Sequence, residues 1–199
     1  IAADLTDPAA PQRLYDDVVK RGLIVEFLVN NAGFGSNGAF LDLDLAGEAN
    51  MIEVNCTALL KLTHLFARPM RERKSGRILN VASTAAFQPG PYMATYYATK
   101  AFVVSFSEAL AHELRGSGVT VTCHCPGATA TEFSGAAGNA DSPLFRAGVA
   151  EGPEVARHAY RAMMKGETLA VHGVLSRLAM ESVRFSPRGL VRTVAAALN

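Results

Sequence analysis

The chain has 199 residues, of which 49% are apolar, and this is enough for one folded domain with a substantial core. Its 19 basic and 18 acidic residues give a net charge of +1, which offers no electrostatic basis for a nucleic-acid partner. No apolar run reaches the roughly 18–20 residues of a membrane-spanning helix, so a membrane partner is not expected.

Four short, unbroken apolar runs are typical of strands covered on both faces, as in a parallel sheet. They are residues 23–33 (LIVEFLVNNAG), 76–84 (GRILNVAST), 118–127 (GVTVTCHCPG) and 167–173 (ETLAVHG). The runs alternate with longer helical patterns, which predicts right-handed strand–helix–strand crossovers. The sequence therefore predicts one α/β domain over residues 1–199, with a doubly wound parallel sheet.

Helical patterns fill the intervals between the strands, over residues 11–22, 46–74, 95–115, 152–166 and the last 25 residues. The second pattern predicts a helix that bends near Asn55 or Pro69, and Pro187 should interrupt the C-terminal helix. Small, polar and Gly-rich residues from 131 to about 150 predict a mobile loop over a site.

Three cysteines do not suggest a disulfide framework. Cys123 and Cys125 flank His124 and could suggest a metal site, but zinc would need further ligands from elsewhere. Because Cys123 and Cys125 are two residues apart in a predicted strand, they share a face and lie too far apart to form a good disulfide. We interpret them as core residues, predict no metal, and expect a reducing, cytoplasmic location.

Small or polar residues follow the first three strands, at the edge where open α/β sheets bind ligands. They are Asn30, Asn31, Ala32 and Gly33, then Ser83 and Thr84, then Pro126, Gly127, Thr129 and Thr131. Such residues would let a cofactor approach the backbone closely.

The stretch MATYYATKAFVVSFSEAL, residues 93–110, places two adjacent tyrosines before one lysine in a helical pattern. Tyr96 is four residues and Tyr97 three residues from Lys100, so either could reach it. A phenol has a pKa of about 10, roughly three units too high for proton exchange at neutral pH, and an adjacent ammonium lowers it. A Tyr–Lys pair beside a cleft is therefore a plausible acid–base device.

Four motifs occur in order: NNAG, VASTAAF, YYATK and CPGATATEF, with Tyr96 thirteen residues after Ser83. In this order they resemble the classical short-chain dehydrogenase/reductase family over nearly the whole chain. The resemblance implies a Rossmann-like, three-layer αβα fold that assembles as a homodimer or homotetramer. It also implies an oxidoreductase that transfers a hydride between NAD(P)(H), with NADP(H) slightly favoured, and a carbonyl or secondary alcohol substrate.

The resemblance implies a role for each matching residue. Tyr96 would exchange the proton, and Lys100 would lower its pKa and hold the nicotinamide ribose. Ser83 would stabilise the developing oxyanion, and Asn55 would position a water. Tyr97 falls on a variable position and would be packing or pocket wall. Considered alone, Asn55 could mark only a helix bend and Ser83 only a turn.

The implied cofactor-binding set is Asp4, Leu5, Asn31, Ala32, Gly33, Tyr96, Lys100, Pro126, Gly127, Thr129 and Thr131. Asp4 could equally be a turn acid. The residues that flank the site predict a mainly apolar pocket for an aliphatic, acyl or ring-system ketone or alcohol. They are Thr84, Phe87, Gln88, Met93 and Phe133.

The sequence departs from the family in one respect, because it contains no Gly-rich phosphate loop on a first strand–helix turn. It begins with IAADLTDP, which is typical of the end of a buried strand, so we expect the N-terminal βαβα portion to be absent. The residues FLVNN would then form an exposed apolar edge, and the chain alone would bind cofactor poorly or not at all. The alternatives are therefore a truncated, cofactor-free inactive fragment, a non-catalytic binding protein of the same fold, and an epimerase or dehydratase of the extended relatives.

Overall fold

The main sheet of the computed structural model, which describes residues 1–130, 137 and 149–199, consists of parallel strands. In spatial order they are β1 (Phe27–Asn30), β2 (Gly76–Val81), β3 (Val119–Cys125) and β6 (Leu169–Val171). The two-residue strands β4 (Thr129–Ala130) and β5 (Ala150–Glu151) form a separate parallel pair. The four predicted strands are confirmed, although each is shorter than its apolar run.

The helices follow the predicted order: α1 (Ala10–Lys20), α2 (Leu45–Ile52), α3 (Leu59–Glu72), α4 (Ala94–Glu113), α5 (Gly152–Lys165), α6 (Val174–Val183) and α7 (Arg188–Leu198). A π-helical turn, Glu53–Ala58, joins α2 to α3. The predicted irregularity of this long helix therefore lies at Asn55, whereas Pro69 lies inside α3. The predicted interruption at Pro187 is also confirmed. Among the described residues, no helix is long and apolar enough to cross a membrane.

Helices cover both faces of the sheet, because successive strand residues point to opposite sides. Ile78 of β2 packs in one cluster with Phe66 and Met70 of α3. The next residue, Leu79, packs in another cluster with residues of α5, Ala159 and Met163. The doubly wound arrangement of three layers is therefore confirmed.

Strand β1 departs from the prediction that every strand is covered on both faces. Leu28 and Asn30 are buried, but Phe27 is 43% exposed and Val29 is 50% exposed. Within the described parts of the chain, β1 pairs only with β2. The expected apolar edge is thus present, and the other face of β1 remains open to solvent.

A buried chain of polar side chains connects the sheet to the helices on its covered face. Asn30 Nδ2 donates hydrogen bonds to Thr63 Oγ1 at 2.9 Å and to Asn80 Oδ1 at 2.8 Å. Asn80 Nδ2 donates to Ser107 Oγ at 2.9 Å, and that hydroxyl donates to the Val103 carbonyl at 2.6 Å. These contacts fix β1 and β2 against α3 and α4, because an unpaired buried amide would be costly.

Three histidines connect β3, α5 and the end of β6 on the other face. Nε2 of buried His124 lies 3.1 Å from Nδ1 of His158, and the rings of His158 and His172 are 5.1 Å apart. Burial lowers the pKa of His124 to about 4, and the positive charges that His158 and His172 can carry act in the same direction. His172 lies 3.8 Å from the exposed carboxylate of Glu154. His124, the buried member of these three histidines, is therefore neutral at pH 7.

We expect the Asn80→Ala substitution to lower the free energy of unfolding by about 2–4 kcal/mol, because it leaves the Asn30 amide and the Ser107 hydroxyl without their partner. Urea unfolding at pH 7 measures this change. Asn50→Ala, an exposed change in α2, is the matched control and should stay within about 0.5 kcal/mol of the wild type. Similar midpoints for the two variants would show that the buried network contributes little.

We also expect the free energy of unfolding to fall by about 1–2 kcal/mol between pH 7 and pH 5 because of His124. Its folded pKa of about 4 lies below the ordinary value of 6.5, so the unfolded chain binds more protons between these values. Stability from this group is complete above pH 6.5 and is lost as the pH falls towards 4. His124→Gln should flatten the dependence in urea titrations at pH 7, 6 and 5.

The control for the histidine experiment is His64→Gln, an exposed change in α3. It should keep the pH dependence of the wild type. If His124→Gln and the wild type lost stability in parallel on acidification, the buried imidazole would not be the titrating group.

Candidate active site

A cleft of about 1150 Å³ opens at the carboxyl ends of β1, β2 and β3, where open α/β sheets bind ligands. Residues from all four sequence motifs line it. The predicted site residues found there are Asn31, Gly33, Ser83, Thr84, Gln88, Met93, Tyr96, Lys100, Pro126, Gly127 and Thr129. The fold therefore brings together side chains that are up to 98 positions apart in the sequence, from Asn31 to Thr129.

Lys100 is a buried cation on the cleft wall, projecting from α4. Its Nζ donates a hydrogen bond to the Val81 carbonyl at the end of β2, at 2.9 Å. The same atom lies 5.7 Å from the centre of the Tyr96 ring. Burial lowers the pKa of Lys100 to about 8, because a charged ammonium loses hydration there. The side chain is still mainly protonated at pH 7.

Tyr96 is buried beside Lys100 on the same face of α4. Burial raises the pKa of its phenol to about 12, and the hydrogen bond with Ser83 acts in the opposite direction. The sequence predicted that Lys100 lowers this pKa; burial raises it in this cleft, and the effect of Lys100 itself stays a prediction. The physical reason is that removing the phenolate from water outweighs the stabilisation that the neighbouring groups supply.

Ser83 begins a short 3₁₀ turn, Thr84–Phe87, immediately after β2. Its Oγ accepts a hydrogen bond from the Ala85 N–H at 3.1 Å and lies 3.5 Å from the Pro126 carbonyl. The cap fixes the oxygen, the contact to Pro126 is long, and the hydroxyl is also hydrogen-bonded with Tyr96. A ligand oxygen that reaches Tyr96 and displaces this contact can therefore accept the Ser83 proton.

Asn55 lies in the π turn, behind the cleft rather than on its surface. Its Oδ1 accepts from the Phe34 N–H at 3.1 Å, and its Nδ2 donates to the Phe34 carbonyl at 2.9 Å and to Thr99 Oγ1 at 3.1 Å. A Cβ placed on Gly33 would lie 2.9 Å from Asn55 Oδ1 and 3.5 Å from Lys100 Nζ. The loop after β1 can therefore approach Asn55 and Lys100 only because residue 33 is glycine.

Several predicted cofactor residues do not line the cleft. Asp4 is exposed, and its Oδ1 accepts hydrogen bonds from the backbone and hydroxyl of Thr6, as expected of a turn acid. Leu5 packs against the core cluster that contains Ile78. Ala32 is exposed and lies outside the cleft lining. These three residues thus lie outside the cleft lining, and their predicted cofactor contacts stay predictions.

Some of the predicted substrate residues line the cleft and others do not. Phe87 packs beside Leu59 and lines a smaller depression of about 450 Å³ instead of the main cleft. Thr131 and Phe133 lie outside the described residues, as does nearly all of the predicted loop from 131 to about 150. The remaining predicted pocket residues lie on the cleft wall.

The structure adds site residues that the sequence analysis missed. Phe34 and His124 line the cleft, as do residues of two helices that were not assigned to it: Val155, Ala156, Ala159, Tyr160 and Met163 of α5 and Ala195 and Leu198 of α7. Tyr97, which was predicted as packing or pocket wall, also lines the cleft. The Val81 carbonyl and the backbone of Phe34 are bound by catalytic-motif side chains, and backbone groups give no sequence signal. Thr99, directly before Lys100, could have been recognised from its place inside YYATK.

Comparison with known proteins places this arrangement in a family. The family model described as short chain dehydrogenase matches residues 1–141. Nodulation protein G of Rhizobium sp. (strain N33) is 39% identical over 103 residues, which cover 52% of this chain and 42% of that protein. The 3-oxoacyl-[acyl-carrier-protein] reductase of Synechocystis sp. is 36% identical over 110 residues, covering 55% and 44%. The matched regions span less than half the length of these curated relatives.

A solved structure agrees over almost the whole chain. The short-chain dehydrogenase from Sphingobium yanoikuyae in complex with NADPH superposes with a TM-score of 0.78 and 31% identity, covering 94% of this chain and 72% of that one. The family model matches well over half of this sequence, and the convergence of Ser83, Tyr96 and Lys100 on one cleft agrees with it. The chain belongs to the short-chain dehydrogenase family.

Proposed function

We propose that the chain carries the catalytic residues of an NAD(P)(H)-dependent oxidoreductase that interconverts a carbonyl group and a secondary alcohol. The observation that carries the proposal is the convergence of the Ser83 hydroxyl, the Tyr96 phenol and the buried Lys100 ammonium on one cleft. A hydroxyl donor, a proton source and a cation together serve a reaction in which an oxygen gains negative charge. The relatives support the same chemistry, since they include a 3-oxoacyl reductase and an NADPH complex.

The cleft fits the nicotinamide end of such a cofactor. Gly33 and Gly127 keep two sides of it free of side chains, and Pro126 and Thr129 lie beside them. Lys100 uses one ammonium proton for the Val81 carbonyl, so the others are available for ribose hydroxyls. When bound, the cofactor supplies or accepts the hydride. The preference for NADP(H) stays a prediction.

Tyr96 is the proposed proton donor to the substrate oxygen. A pKa of about 12 keeps its phenol protonated at neutral pH, which suits donation to an oxygen that becomes strongly basic as the carbonyl is reduced. Ser83 is oriented by the Ala85 N–H and donates a second hydrogen bond to the same oxygen. The two hydroxyls therefore stabilise the developing charge more than the neutral carbonyl.

Lys100 and Asn55 act behind this pair. The ammonium lies over the Tyr96 ring and stabilises the phenolate that proton transfer leaves, since an opposite charge nearby favours the ionised form. Asn55 holds the loop after β1 and the helix of Lys100 in one fixed arrangement through Phe34 and Thr99. We propose a positioning role for Asn55, and its water-binding role stays a prediction.

The proposed substrate is an apolar ketone or alcohol. Apolar side chains form most of the wall beyond Tyr96, among them Met93, Phe34, Val155 and Leu198. Thr84 and Gln88 supply polar groups at one side. An acyl, aliphatic or ring-system group would fit such a wall. Assembly as a homodimer or homotetramer stays a prediction.

We expect fluorescence titration of this chain with NADPH and NADH to show saturable but weak binding, with a Kd above ~100 µM, because the nicotinamide end has its residues but the sequence contains no Gly-rich phosphate loop. The chain contains no Trp, so its own emission is low. Lys100→Met should weaken binding further, whereas exposed Lys165→Met should not. Absence of saturation would contradict the proposal and favour the cofactor-free alternative.

We expect Tyr96→Phe to lower kcat for NADPH-dependent ketone reduction at least about 100-fold, because it removes the proton donor, whereas Tyr97→Phe should lower kcat less than about tenfold. The assay would use aliphatic, 3-oxoacyl and ring ketones. Tyr15→Phe, which removes a phenol hydroxyl in α1, is the matched control outside the site. Equal losses of kcat at positions 96 and 97 would refute the assignment of Tyr96.

A further inference from the structure

Tyr97 directs its hydroxyl away from the catalytic residues and towards the end of α7. The hydroxyl donates a hydrogen bond to Asn199 Oδ1 at 2.8 Å. Asn199 Nδ2 in turn donates to the Pro91 carbonyl at 2.9 Å, and Asn37 Nδ2 donates to the Asn199 carbonyl at 3.2 Å. One residue at the end of α7 is therefore bound to α4 and to two loops around the cleft.

The ring of Tyr97 is as closely held as its hydroxyl. A Cβ on Gly90 would lie 2.3 Å from the Tyr97 ring, so the loop before α4 packs directly on the aromatic face. The rings of Tyr97 and Tyr96 meet edge to face with centroids 6.1 Å apart. Tyr97 is buried, and these contacts leave its hydroxyl little freedom to choose another partner.

Helix α7 lines the cleft on one side and is exposed to solvent on the other. Ala195 and Leu198 line the cleft, whereas Leu190 and Val194 are more than half exposed. Among the residues that the structure describes, α7 packs extensively against no other helix or strand. The hydrogen bonds of Asn199 are therefore a main attachment of this part of the cleft wall.

We propose that Tyr97 is a specificity-determining positioning residue, which fixes the apolar outer wall of the cleft by binding Asn199 at the end of α7. With the bond in place, Ala195 and Leu198 close the cleft around the apolar part of the substrate. Without it, the end of α7 moves out, bulky apolar groups enter more easily, and small ones lose a contact surface. The substrate assignment rests on the proposed function, but the Tyr97–Asn199 contact itself does not.

The contact can be tested by amide hydrogen exchange on the whole chain. We expect Tyr97→Phe to accelerate exchange of the amides of residues 191–199 about fivefold, the effect of losing one net hydrogen bond, and Asn199→Ala to accelerate it more, because it also removes the bond to the Pro91 carbonyl. The double variant should add little to Asn199→Ala, because the Tyr97 bond is already lost there. Tyr15→Phe should leave these amides unchanged. Unaltered exchange in Tyr97→Phe would overturn the proposal, even if NADPH bound normally.

The wall can be tested without cofactor, using the neutral apolar dye N-phenyl-1-naphthylamine in stopped-flow fluorescence. We expect both single variants to release the dye about fivefold faster than the wild type and Tyr15→Phe. Unchanged release would overturn the role of α7 as a wall.

Steady-state kinetics with a small and a bulky ketone test the specificity role of Tyr97. In Tyr97→Phe the KM of a small ketone should rise and that of a bulky ring ketone should fall, with kcat changed much less. Parallel changes for both ketones would overturn the specificity role. Failure of NADPH to bind the wild type would instead refute the proposed function and leave the exchange result standing.

Discussion

The site depends on the hydrogen bonds that the side-chain amide of Asn55 makes. This amide binds both backbone groups of Phe34 in the loop after β1 and the hydroxyl of Thr99 in α4, so one residue sets the distance between these segments. The π turn that contains Asn55 interrupts an otherwise regular helix, and such turns occur frequently at functional sites. Because Gly33 approaches this amide closely, the edge of the sheet and Lys100 can face one cleft.

Burial has opposite effects on the two titratable groups that this arrangement brings together. It raises the pKa of the Tyr96 phenol and lowers that of the Lys100 ammonium, so both neutral forms are favoured relative to water. At neutral pH the phenol therefore keeps its proton and the lysine keeps most of its charge. This protonation state fits the proton-donating role that is proposed for Tyr96.

The sequence predicted the site well where the information was local and poorly where it depended on distant contacts. Unbroken apolar runs identified the strands, and residues at strand ends identified the cleft, because parallel strands bring their carboxyl ends to one edge. The raised pKa of Tyr96 could not be predicted, since it depends on how completely the folded chain excludes water. Nothing in the sequence indicated that Asn199 binds a residue of the cleft wall, because its partner Tyr97 lies 102 positions away. Asp4 matched a family position, yet its own turn binds its carboxylate.

The two adjacent tyrosines of α4 have different hydrogen-bond partners: Tyr96 binds Ser83 and Tyr97 binds Asn199. Around the helix, Tyr96 lies about 40° and Tyr97 about 60° from Lys100, on opposite sides of it, so the spacing alone lets either tyrosine reach the lysine and the packing decides. Tyr96 packs beside the lysine and reaches Ser83, and Tyr97 is directed towards Gly90 and Asn199. The edge-to-face contact of the rings couples the positions of the two side chains but not their hydrogen bonds. A change in the hydrogen-bond partner of Tyr97 can therefore alter the cleft wall without changing the hydrogen bond of Tyr96.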